Sequence, residues 1–193
     1  PTRRSSDLAM AAILGLNEDE IKDICSKASE KGIVEPANFN CPGQIVIAGE
    51  VSALEYAMEL AKEKGARKVI RLSVSGPFHT SLLKEASDKL YAELLKIDLK
   101  PMNIPVLTNV SGDYIKPTDD IKEILRKQVM NAVRWEDTIR NMIKAGVDTF
   151  VEIGPGKALS SFTKKIDRAV KIYNVDDISS LNKTIESLTN TNS

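Results

Sequence analysis

Histidine, cysteine and tryptophan are scarce in this 193-residue chain, which has one His, two Cys and one Trp. Cys25 and Cys41 form neither a CxxC pair nor a metal-ligand cluster, so no zinc site and no disulfide framework is expected. Two scattered thiols fit a reducing cytoplasm. An excess of charge of either sign is also missing, because Lys+Arg and Asp+Glu both total 27. That balance removes the global electrostatic reason to expect nucleic acid or an anionic membrane as partner. No apolar run reaches the ~18 residues that a membrane-spanning helix needs. The start, Pro1 to Asp7, is polar and basic, without the apolar stretch of a secretory signal.

What is present suffices for a real core: 42% of residues are hydrophobic and 28% charged, as in ordinary globular domains. From Ala9 to Val74 the pattern reads β-α-β-β-α-β. Ala9–Leu14 is a strand, and Asn17 caps a helix with Glu20 three residues on. Ile21, Ile24, Cys25 and Ala28 carry that helix's apolar stripe, and Gly32 stops it. Residues 33–39 and 44–48 are strands around the turn residues Asn40, Pro42 and Gly43. Ser52 and Glu55 suggest a second capping pair, Leu54, Ala57, Met58 and Ala61 a second stripe, and Gly65 its end. Residues 68–74 complete the unit. This is the ferredoxin-like order, with each stripe able to cover one sheet face.

After Gly76 the pattern changes. A helix is expected from Thr80 or Ser81, with Leu83, Ala86, Leu90 and Leu94 on one face. A short strand at 106–110 and a turn at Ser111-Gly112-Asp113 follow, then a helix capped by Thr118. Another helix runs from Trp135 to Gly146, followed by a buried strand at 147–153 and a tight Gly154-Pro155-Gly156 turn. A helix at 158–166, a strand at 171–175 and a helix at 177–188 complete the chain. Helices alternating with strands predict an α/β sheet, here with few strands. The implied organisation is a leader or scar over 1–8, a ferredoxin-like subdomain over 9–75, an α/β part over 76–189 and a tail over 190–193.

His79 is the only imidazole, and it sits in Gly76-Pro77-Phe78-His79 between a strand and a helix. Strand-end loops commonly present catalytic groups, and a neutral imidazole accepts a proton near pH 7. Position alone favours an inert surface or core histidine over a catalytic one. The nucleophile such a base would serve, a serine in G-x-S-x-G, occurs nowhere in the sequence. Ser73, Ser75, Ser111, Ser160 and Ser161 lack that context, and no signal activates Cys41. Gly154-Pro155-Gly156-Lys157 lacks the spacing of a phosphate loop. Asp119-Asp120 and Asp176-Asp177 suit helix starts. Trp135 and Phe162 read as core. The basic groups Arg67-Lys68-Arg71, Arg126-Lys127 and Lys164-Lys165-Arg168 read as solvated faces.

Four segments taken together resemble one family: Ala9–Gly15, Asn38–Gly49 (Asn-Phe-Asn-Cys-Pro-Gly-Gln-Ile-Val-Ile-Ala-Gly), Gly76–His79 and Val151–Lys157 (Val-Glu-Ile-Gly-Pro-Gly-Lys). The sequence is similar to malonyl-CoA:acyl carrier protein transacylases of bacterial fatty acid synthesis. The resemblance implies an α/β-hydrolase-like acyltransferase fold carrying a ferredoxin-like insert, here in part only. It implies ping-pong transfer of malonyl from CoA through a serine to the phosphopantetheine thiol of acyl carrier protein. It makes His79 the general base and acid, and Gln128 the residue whose main-chain carbonyl orients that histidine. Asn40 matches an asparagine near the family's pocket. Phe78 precedes the histidine as in malonyl-selective enzymes, which favours malonyl over methylmalonyl. No metal and no cofactor beyond the CoA thioester is implied, and the expectation is a cytoplasmic monomer.

The family's serine elbow, its malonyl-binding arginine and its oxyanion-hole donors lie upstream of the Ala9 segment, and Arg3 and Arg4 stand in the wrong context to replace that arginine. The expectation is therefore a chain inactive alone within an active parent. Two alternatives carry different implications: a fragment of a polyketide synthase acyltransferase domain, and a non-catalytic carrier-protein interaction module, which would have no use for His79 and Gln128.

Overall fold

Strand β1 (Leu8–Leu14) is apolar and buried along almost its whole length. A strand without polar alternation belongs at the centre of a sheet covered on both faces, and β1 occupies such a place. In the computed structural model, which describes residues 7–74 and 76–190, it lies in a four-stranded sheet of order β2-β3-β1-β4. Its partners are β3 (Gln44–Glu50) and β4 (Lys68–Arg71), and β2 (Val34–Cys41) forms the edge beyond β3. Every neighbouring pair is antiparallel; Leu8 faces Glu50 and Leu14 faces Gln44. Most of the 1–8 leader, part of the 190–193 tail and Ser75 fall outside the described residues.

Helix α1 (Glu18–Ala28) starts at the expected capping box. The Glu20 N–H donates to Asn17 Oδ1 at 2.9 Å, and the Asn17 N–H donates to Glu20 Oε2 at 2.8 Å. Helix α2 (Val51–Glu63) starts earlier than the pair read in the sequence, with Glu50 rather than Ser52 at its cap. Ser52 instead donates to the Lys31 carbonyl, and Glu50 Oε2 accepts the Ile33 N–H at 2.7 Å. That link draws the chain tight against Gly49, where an added Cβ would stand 2.1 Å from the Ile33 oxygen. Ile21 and Ile24 of α1, with Ala53, Leu54 and Ala57 of α2, bury Ala11, Ile13 and Ile47 on one sheet face. Each large aliphatic side chain so buried contributes roughly 1.5–3 kcal/mol. The other face is buried as well and holds Met10, Ala12, Ala37, Val46 and Ala48.

The chain forms two compact units, residues 1–138 and 139–193. In the rest of the first, β4 ends at Arg71, short of the expected limit at Val74, and a 3-10 turn at Ser81–Leu83 precedes α3 (Lys84–Leu94). Helix α3 packs on α4 (Ile121–Met130). Of Leu83, Ala86, Leu90 and Leu94, the apolar residues expected on one face, only Leu94 is buried. The contact is polar at its middle: the buried Ser87 hydroxyl donates to the Arg126 carbonyl at 2.7 Å, and the Arg126 guanidinium reaches Asp88 at 2.8 Å. Asp120, not Thr118, caps α4, since an anionic acceptor also answers the helix dipole. The strand expected at 106–110 reduces to a bridge between Leu107 and Tyr114.

Helix α5 (Trp135–Lys144) crosses the division between the units. In the second unit, β5 (Thr149–Ile153) and β6 (Lys171–Val175) pair in parallel, with α6 (Ala158–Ile166) between them in sequence and α7 (Ile178–Asn190) last. Strand β5 reads as buried from its sequence, yet Ile153 is 82% exposed and Val151 is exposed too. Trp135 and Phe162 are half-buried rather than core.

Candidate active site around His79

His79 is the one non-glycine residue with positive φ, +63°, among those described. A side chain in the left-handed region crowds its own backbone, at about 1–2 kcal/mol, and such residues persist where surrounding contacts fix them. Several contacts do so here. The His79 Nδ1 lies 3.1 Å from the main-chain oxygen of Gln128, in the last turn of α4. Thr80, fully buried, donates through Oγ1 to the Pro77 carbonyl at 2.7 Å. The Ser81 N–H and hydroxyl both donate to the carboxylate of Glu35 in β2, at 2.8 and 2.6 Å.

A carbonyl only accepts. The Nδ1···O contact therefore selects the tautomer protonated on Nδ1, which leaves Nε2 as a lone-pair acceptor. That is the state a general base needs.

Gln128 is itself held at both its groups. Its side-chain oxygen accepts the Asn109 N–H at 2.9 Å. The Asn109 carbonyl accepts the Arg134 N–H at 2.8 Å. Val133 then bridges to β2, with the Phe39 N–H donating to its oxygen and its own N–H donating to the Ala37 oxygen. Arg134 lies over the Phe39 ring, 4.9 Å from its centroid, and pairs with Glu18 and Asp137. The Glu18 carboxyl sits below its ordinary range: burial pushes it up, and hydrogen bonds from Lys22 and Arg134 outweigh that. A cavity of about 300 Å³ opens beside Phe39, Cys41 and Arg134. Its one arginine is already answered by two carboxylates, so it offers no ready anion site.

The candidate residues of the sequence thus divide. His79 and Gln128 meet. Phe78 is 51% exposed beside the histidine, its ring against Gly76. Asn40 is half-buried near the end of β2 and takes no part in the hydrogen bonds around His79. Glu35 and Asn109 carry no sequence signal, because their partners Ser81 and Gln128 lie far away along the chain; Arg134 pairs locally with Asp137 and at a distance with Glu18. Cys25 is inert: burial, helped by the Glu35 charge, pushes its thiol up to about 12. The Gly154–Lys157 turn leads into α6, and Glu152 Oε1 and Oε2 accept the Leu159 and Ser160 N–H groups at 3.2 and 2.8 Å. The helix start that a phosphate would use is filled by the chain's own carboxylate. Among the described residues no His, Cys, Asp and Glu grouping suits a metal ion, and no helix is long and apolar enough to cross a membrane.

Residues 6–190 match the acyl transferase domain family. The chain belongs to that family. Among the similar proteins of this acyl transferase family, malonyl CoA-acyl carrier protein transacylase from Bacillus subtilis is 47% identical over 181 residues, covering 93% of this chain and 57% of the relative. The protein of that name from Staphylococcus aureus is 39% identical over 171 residues, covering 88% and 56%. The crystal structure of the Clostridium perfringens transacylase superposes with a TM-score of 0.93 at 48% identity, over 96% of this chain and 58% of that one. The acyl transferase chain described here therefore spans a little over half the length of these relatives, and its α/β architecture is theirs in part.

Proposed function

We propose that the complete protein is a malonyl-CoA:acyl carrier protein transacylase of fatty acid synthesis, and that this chain carries its general base. The observation that carries the reading is the left-handed His79, its Nδ1 against the Gln128 carbonyl and its Nε2 left as acceptor. In the first half-reaction Nε2 takes the proton of a serine hydroxyl as the oxygen attacks the malonyl thioester carbon. As the C–S bond breaks, Nε2–H returns that proton to the departing CoA sulfur. In the second, Nε2 takes the proton of the phosphopantetheine thiol, whose sulfur attacks the acyl-serine ester. The proton then passes to the serine oxygen as it leaves. The Gln128 carbonyl holds the ring through both halves and stabilises the imidazolium between them.

Supporting the carrier-protein partner, a neighbouring structure, 38% identical with a TM-score of 0.90 over 94% of this chain and 59% of that one, is described as a type II polyketide synthase acyl-carrier protein in complex with its malonyl-transacylase. Phe78 and Asn40 are the proposed substrate-side residues, with Phe78 favouring malonyl. Residues 9–75 form the ferredoxin-like subdomain, a reading supported by the antiparallel order β2-β3-β1-β4 with both helices on one face. Residues 76–189 belong to the α/β-hydrolase-like part. The complete enzyme is a cytoplasmic monomer.

The test is transfer of malonyl from malonyl-CoA to holo-acyl carrier protein by the protein at the full length of its relatives. His79→Ala lowers kcat/KM by about 10²–10⁴-fold, and the 193-residue chain without a G-x-S-x-G serine transfers nothing. An unchanged rate in His79→Ala would refute the assignment.

A further inference from the structure

We infer that Glu35 is a positioning residue for His79: from an edge strand it fixes the backbone that keeps the histidine left-handed and its ring on the Gln128 carbonyl. The inference rests on the reading of His79 given above and adds a residue to it.

The 3-10 turn after His79 starts at Ser81, and its cap residue, Thr80, supplies no side-chain cap. Thr80 is turned the other way, with its hydroxyl bonded back to Pro77. The first N–H of the turn would therefore lack a local acceptor. Glu35 supplies one from β2, taking the Ser81 N–H on Oε2 and the Ser81 hydroxyl on Oε1. Bonds to an ionised carboxylate are shorter and about twice as strong as neutral ones, and here both oxygens grip one residue just after the histidine. Glu35 is steady in turn. It pairs with Ala48 of β3 in the sheet register, and Pro36 after it favours extended backbone.

His79 is thus held from two directions. Gln128 fixes the ring, and Glu35 fixes the chain that aims it. Without the second hold, the turn is free to relax toward the right-handed region, which the unfavourable φ of +63° encourages. Relaxation would swing the imidazole off the carbonyl.

Because His79 is the only histidine, its ring gives a single set of NMR signals in the 193-residue chain, so the test needs no assignment. Long-range 1H–15N correlation at a pH where the ring is neutral reports the ratio of Nδ1–H to Nε2–H tautomer. The unaltered chain shows the Nδ1–H form in excess. Glu35→Ala lowers the ratio by roughly two- to tenfold, the worth of one net hydrogen bond. Ser81→Ala, which removes one of the two bonds, lowers it less. Glu35→Gln, which keeps an acceptor for the Ser81 N–H, restores most of it. In the complete enzyme the same order appears in kcat with KM for malonyl-CoA little changed. If Glu35→Ala does not fold, Ser81→Ala, which removes the hydroxyl bond to Glu35, decides the matter. An unchanged ratio in folded Glu35→Ala, or in Ser81→Ala where Glu35→Ala does not fold, overturns the role of Glu35. An Nε2–H ring in the unaltered chain overturns the His79–Gln128 reading instead.

Discussion

Replacing His79 by glycine leaves the chain more stable than replacing it by alanine, the reverse of the order expected at an ordinary position. Both substitutions delete the imidazole and its bond to Gln128, so that loss cancels in the comparison. What differs is the backbone at φ +63°. Alanine keeps a Cβ in the left-handed region at about 1–2 kcal/mol. Glycine does not, but its freer unfolded chain costs roughly 0.5–1 kcal/mol. The balance favours glycine by about 0–1.5 kcal/mol. With a urea slope of about 2 kcal/mol/M, a mid-range value moves the midpoint upward by ~0.4 M. The assay is urea unfolding followed by fluorescence of Trp135, the only tryptophan, which lies in the same compact unit. If alanine proves the more stable by about 0.5 kcal/mol or more, the usual order at a relaxed position, His79 is not held left-handed and the argument for a poised base fails.

Two further outcomes follow from particular residues. Gly112→Ala destabilises by about 1–3 kcal/mol in the same assay, because φ is +66° and the new Cβ would stand 2.6 Å from Asp137 Cβ. Cys25 resists thiol reagents at pH 8 in the folded chain and becomes reactive on unfolding. Its thiol is raised from 9.0 to about 12 by burial first and by Glu35 second. The unfolded state therefore sheds its proton first, so this group's contribution is complete below pH 9 and is lost between 9 and 12, at up to about 1.4 kcal/mol per pH unit. Cys25→Ala flattens that part of the stability–pH curve; a curve unchanged by the substitution would show that the thiol is not the cause.

Features whose causes lie within a few residues are legible in the sequence itself. The Asn17–Glu20 box, the apolar β1 run and the α1 stripe are local chemistry, and each appears at its expected place. The motif around His79 reads as a strand-to-helix loop, but its left-handed backbone does not show there, because no residue preference requires it. Glu35 is invisible in one dimension because its partner, Ser81, lies 46 residues away. The face of α3 reads as apolar, yet its middle is polar because Ser87 and Arg126 satisfy one another across helices. A one-dimensional stripe cannot show a buried hydroxyl with a distant partner. Thr118 is a sound cap by type, but Asp120 stands just beyond it with a stronger claim.

The bridge between Asn38 and Val133 has a consequence for the order of folding. It ties strand β2 to the segment following α4 across much of the first unit, whereas the β2–β3 hairpin closes over a short turn. Loop-closure entropy makes the hairpin the early event and the long bridge a late one. The imidazole and the carbonyl that orients it, 49 residues apart, also close a longer loop than the hairpin and meet after it. A newly synthesised chain would then form its β2–β3 hairpin first and direct its histidine later, so that an oriented imidazole marks a later stage of folding than the hairpin.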